Sequence, residues 1–162
     1  MNANPLRPIR FWLALFIFGL VVSGVTAFPL EWELNLLHAT ITHPLSPLPQ
    51  LWPEMVAWIT LVRTGLVETY ARYPFMAYGT DWLAFAHLVI ALAFIGPWRD
   101  PVKNIWVIEF GLLACVLVIP LALIAGTVRG IPFFWQLIDC SFGVFGFIPL
   151  WQARNLTLRF AP

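Results

Sequence analysis

Asp139 is the residue whose type and place first suggest chemistry. Together with Gln136 it interrupts an otherwise apolar run over residues 132–151. A charged side chain at the centre of a membrane-spanning helix costs about 2.5–3.5 kcal/mol on insertion scales, so it must be paired, hydrated or in use. Gln136, Asp139, Gly143 and Gly146 recur at helical spacing. They form one polar, small-residue stripe, expected to point at other helices or a water-filled cavity rather than at lipid. Two roles fit Asp139. It can act as a general acid or base, with Arg129 or Arg63 holding an anionic group, or it can pin helix packing through hydrogen bonds.

A second run carries Tyr78 and Asp81 near its start and His87 near its middle. Ala84, His87 and Ala91 repeat at coiled-coil spacing, which predicts a seam against a neighbouring helix and places His87 inside the bundle. Its imidazole could ligate a haem or chlorin metal, but a buried bis-His haem needs a second His in a span and none is present. A satisfied buried ring is the simpler reading, and the cofactor stays unassigned. Outside the apolar runs, Glu31, Glu33, His38 and His43 fall in what reads as a loop and match no closed zinc spacing. Ser141 and Cys140 adjoin Asp139 without a strand-turn-helix elbow, and no phosphate-cradling glycine loop occurs.

Cys115 and Cys140 both lie within apolar runs and read as free thiols. Their axial offset, about 6 Å at helical rise in an antiparallel pair, nearly exhausts the Cα separation of about 7 Å that a disulfide tolerates. Glu109 sits about 7 Å from the edge of its run at the same rise, shallow enough to snorkel or to pair with Lys103 or Arg154.

The elements that carry these groups follow from hydropathy. Four apolar runs, residues 11–28, 78–97, 105–128 and 132–151, each approach or exceed the roughly 20 residues that cross a hydrocarbon core about 30 Å thick. The chain is 60% hydrophobic and 10% charged, with a mean hydropathy of +0.83. Globular chains run near 25% charged. The predicted fold is all-α: a multi-pass membrane protein of four transmembrane helices plus one outer amphipathic helix, a single integral domain over residues 1–162. At this length no separate soluble enzyme fits, and a net charge of +1 offers no footprint for nucleic acid.

Arg7 and Arg10 precede the first run as in a secretory signal, but no small-x-small cleavage pair follows, so the segment reads as a retained anchor. Its Gly19 and Ser23 have the spacing that lets helices approach closely. Pro120 should kink the third span.

Charge sets the expected orientation. Arg7, Arg10, Arg99, Lys103, Arg154 and Arg159 fall on one side, against Arg63, Arg72 and Arg129 on the other. The positive-inside rule makes the first side cytoplasmic, with both termini there, and the expected location is a bacterial plasma membrane. Trp12, Trp98, Trp106 and Trp151 then form an inner aromatic belt and Trp32, Trp82 and Trp135 an outer one.

Between the first two spans lies the one long connection, residues 29–77. Its first part is turn-rich, with Pro44, Pro47 and Pro49 close together, and reads as an extended loop. A helix is predicted from Pro53, because Trp52, Met55, Val56, Ile59, Val62, Leu66 and Tyr70 recur at helical spacing. Arg63, Thr64, Glu68 and Arg72 form its polar side, and Glu68 and Arg72 are spaced for a surface pair. Such a helix should lie along the outer interface, as a lid or as a plain anchor.

These placements gather Tyr78, Asp81, Arg129, Gln136 and Asp139 near the outer leaflet, beneath the helix bearing Arg63 and Glu68. The expected function is binding of a hydrophobic or lipid-like ligand there, or service as an accessory subunit of a larger membrane complex, with the lipid bilayer as the constant partner. A small membrane enzyme acting on a lipid or isoprenoid headgroup is the alternative. A transporter fits less well, since no repeat symmetry or broken half-helix is visible.

Overall fold

The structure is a computed structural model and describes residues 6–160. The described residues are helical, without strands: α1 (Leu6–Ala27), α2 (Leu30–Ile41), α3 (Leu48–Leu51), α4 (Pro53–Arg72), a 3-10 turn (Pro74–Met76), α5 (Ala77–Ala93), α6 (Ile95–Arg99), α7 (Ile105–Val128) and α8 (Phe133–Phe160). Four stretches are long and apolar enough to cross a bilayer: Leu6–Ala27, Pro74–Arg99, Ile105–Val128 and Phe133–Arg159. The chain is an integral, multi-pass membrane protein.

Local chemistry explains the breaks. Pro29 disfavours helix at the residue before it, so α1 stops and the chain turns. Glu31 and Glu33 then fall in the first turn of α2, where the helix dipole favours negative charge. Pro97 has no N–H to donate to the carbonyl of Ala93, and α5 gives way to α6 at Phe94. Gly130, at φ +69°, closes the hairpin between α7 and α8.

The helix predicted from Pro53 is present, with Ile59 buried on its apolar face. The segment before it differs from expectation. Glu31, Glu33 and His38 lie on a three-turn helix, α2, rather than in a loop, and residues 48–51 form a single helical turn. Leu30, Leu34, Leu37 and Ile41 have helical spacing, and Ile41 is buried where α2 and α4 pack together.

Two compact units divide the chain. The first joins the start of α1 to residues 89–160, and its core is Ile9 and Leu13 of α1, Phe94 between α5 and α6, Val107, Ile108, Leu112 and Cys115 of α7, and Leu150 and Ala153 of α8. Gly143 and Gly146 of α8 lie against Cys115, so this part of the stripe does face protein. Arg10 ties α1 to α6, donating from Nε to the Trp98 carbonyl at 3.1 Å and stacking 5.1 Å from the Trp98 ring centroid. Glu109 pairs with Arg154 at 2.8 Å, one of the two partners foreseen for it. Cys115 and Cys140 are free, and the Cys140 thiol faces the Ile119 carbonyl at 3.9 Å.

The second unit, residues 22–88, holds the end of α1, the α2–α4 pair and most of α5. The helix approach predicted at Gly19 and Ser23 occurs instead at Gly24, which meets Ala84, His87 and Leu88, while nothing stands within 4 Å of a Cβ at Gly19. Ala84 is buried against Gly24, as the seam predicted on this helix requires.

Candidate functional site

On α8, Gln136 is 4% exposed. Its Nε2 donates to the Ile131 carbonyl at 2.8 Å, and its stem packs on Gly126 of α7. Its amide therefore closes the hairpin instead of facing a cavity.

Asp139 is one turn further along. It is half-buried, and it shares the helical sector of Gly143, Leu150 and Thr157, all of them buried. Among the described residues its carboxylate has no hydrogen-bond or ion-pair partner. Arg129, expected beside it, caps the end of α7, is exposed, and forms no ion pair with Asp139. The hairpin thus presents a partly sheltered carboxylate without a cation of its own.

The other four predicted residues belong to the second unit. Arg63 is half-buried and reaches from α4 to α2, where Nε donates to Asn35 Oδ1 at 2.6 Å. Glu68 is exposed and does not pair with Arg72, whose guanidinium lies 5.3 Å from the Tyr73 ring centroid instead. Tyr78 is 62% exposed and begins an edge-to-face ladder through Trp82 to Phe85, with ring centroids 5.9 and 6.0 Å apart. Asp81 is half-buried and, like Asp139, has no hydrogen-bond or ion-pair partner among the described residues.

The histidines are each accounted for locally. Thr60 gives its hydroxyl proton to the Val56 carbonyl at 2.7 Å, so His38 Nε2, 3.2 Å away, must be the donor between them. His43 Nδ1 accepts from the Leu45 N–H at 3.2 Å. His87 Nδ1 donates to the Leu83 carbonyl at 2.8 Å, which fixes its tautomer. Among the described residues no three His, Cys, Asp or Glu side chains converge as a metal-ligand group.

No protein-family model, curated protein or solved structure matches this chain.

One part of the geometry is not legible from residue spacing. A cavity of about 430 Å³ opens in the second unit where α1 turns into α2, lined by Phe28, Glu31, Trp32, Asn35 and Tyr70. Tyr70 is anchored there by a 2.9 Å hydrogen bond between its hydroxyl and that of Thr80. The residues come from α2, α4 and the α1–α2 corner, so they converge only once α2 is known to be a helix.

Proposed function

We infer that this chain is a membrane-embedded binding protein, receiving at Asp139 a hydrogen-bond donor or cation carried by a lipid-like ligand or by a helix of a larger membrane complex. The observation behind this reading is the unpartnered carboxylate on the protein-facing sector of α8. A group of that kind is expensive in hydrocarbon, and a donor supplied from outside the chain removes the penalty. By the positive-inside rule the six-cation side is cytoplasmic, as in a bacterial plasma membrane, which puts Asp139 in the outer half of the bilayer. Catalysis on a headgroup would need a fixed cation beside Asp139, and in the α7–α8 hairpin Arg129 forms no ion pair with it.

Native mass spectrometry of the full chain in mild detergent tests the proposal. The wild type is expected to retain a lipid-like molecule or a companion chain, and Asp139→Asn to lose it while staying folded. Identical bound species in both, or none in the wild type, would overturn it.

A further inference from the structure

The cavity at the α1–α2 corner has the chemistry of an ammonium site. Phe28, Trp32 and Tyr70 place three aromatic side chains around it, and Glu31 adds a carboxylate. Aromatic faces attract cations through their quadrupole, and recognition of quaternary ammonium groups is the best-attested use of such rings. Glu31 makes no ion pair among the described residues, so no cation of this unit neutralises it.

The polar edge of the cavity is equally informative. Asn35 turns Oδ1 toward Arg63, because a guanidinium can only donate, and its amide nitrogen remains to donate elsewhere. Beside the acidic, aromatic part of the cavity therefore stands an N–H donor, and Arg63, which does not itself line the cavity, holds that amide in place. A zwitterion whose ammonium and phosphate are a few bonds apart complements the acidic part and the donor.

Position and shape favour a lipid as the carrier. Phe28 is the first residue beyond the apolar helix α1, where the span reaches headgroup level, and Trp32 is of the type that settles there. The site is an open groove of about 430 Å³, which a headgroup can enter from the surface. A single carboxylate makes a poor site for a metal ion, and an anion alone would meet Glu31 unfavourably.

We propose that Glu31, Phe28, Trp32 and Tyr70 bind the ammonium of a zwitterionic phospholipid headgroup, with the Asn35 amide, held by Arg63, donating to its phosphate. This site shares no residue with Asp139 and does not depend on what binds there.

Purified full-length protein is mixed in detergent with equal amounts of phosphatidylethanolamine, phosphatidylcholine and phosphatidylglycerol, and bound lipid is read by native mass spectrometry. The zwitterionic lipids should be retained over phosphatidylglycerol by about tenfold, the scale of one good cation–π or charge contact. Glu31→Gln and Trp32→Leu should each bring the ratio close to one, while Trp32→Phe keeps it. Glu31 and Trp32 are exposed, so these changes leave the packing intact, and unchanged phosphatidylglycerol binding serves as the folding control. Asp139→Asn should leave the preference untouched, which separates this site from the one on α8. Free choline added in excess identifies the source: displacement of the lipid assigns recognition to the ammonium group alone, and persistence of the lipid assigns it to the whole headgroup. Equal retention of phosphatidylglycerol by the wild type, or an undiminished preference in Glu31→Gln and Trp32→Leu, would overturn the proposal.

Discussion

Gly24 of α1 lies against Ala84 of α5 so closely that a Cβ at position 24 would stand 2.9 Å from the Ala84 carbonyl oxygen. The obstacle is backbone, which cannot swing aside as a side chain tip can. Gly24→Ala should therefore destabilise the protein by about 1–3 kcal/mol, the usual range for overpacking. Gly19 is the control on the same helix, since nothing stands within 4 Å of a Cβ there. Gly19→Ala should be stabilising by about 0.5–1 kcal/mol through helix propensity alone. Unfolding in a titrated denaturing detergent measures both, and the two substitutions should move the midpoint in opposite directions.

Gln136 offers a second test, at the turn between α7 and α8. Its amide satisfies the Ile131 carbonyl, and it is almost wholly buried. Gln136→Leu keeps the volume and removes the donor, leaving that carbonyl unsatisfied at a cost of about 1–3 kcal/mol. Hydrogen exchange around Gly130 and Ile131 should rise in this variant. Gln136→Glu should restore protection only while its carboxyl is protonated, because an ionised carboxylate accepts and cannot donate, so protection should fall as the pH is raised.

The four spans were legible because hydrocarbon imposes one long apolar run per crossing, a constraint indifferent to tertiary detail. Pro53 and the 3.6-residue pattern behind it likewise announced α4. What failed was local competition. The three prolines at 44, 47 and 49 specify turns and mask the short helix before them, although Leu30, Leu34, Leu37 and Ile41 have its period. Helix contacts were equally elusive: Gly19 and Gly24 have the same chemistry, and only packing decides which one touches a neighbour. The Glu68–Arg72 spacing permitted a pair, yet the Tyr73 ring holds Arg72 instead. Trp32 suits an interfacial belt by its type, and its place beside Glu31 and Tyr70 follows only from the folding of α2 onto α4.

Two carboxylates in spanning helices, Glu109 and Asp139, should respond oppositely to the same change. Glu109 is held by Arg154 at 2.8 Å, with 46% of its side chain exposed and 29% of that of Arg154. Replacing it with Leu strands a cation, and a loss of up to about 1 kcal/mol is expected for a pair so open to its surroundings. Asp139 has no partner among the described residues, so Asp139→Leu removes a charge that none of them compensates. With the bound species stripped from both proteins, that substitution should raise stability in detergent by about 2 kcal/mol, approaching the insertion cost of a carboxylate at depth. If Asp139 is kept for binding, the gain in stability and the loss of the bound species should coincide in one variant. A destabilised Asp139→Leu protein would instead assign the carboxylate to packing within the bundle.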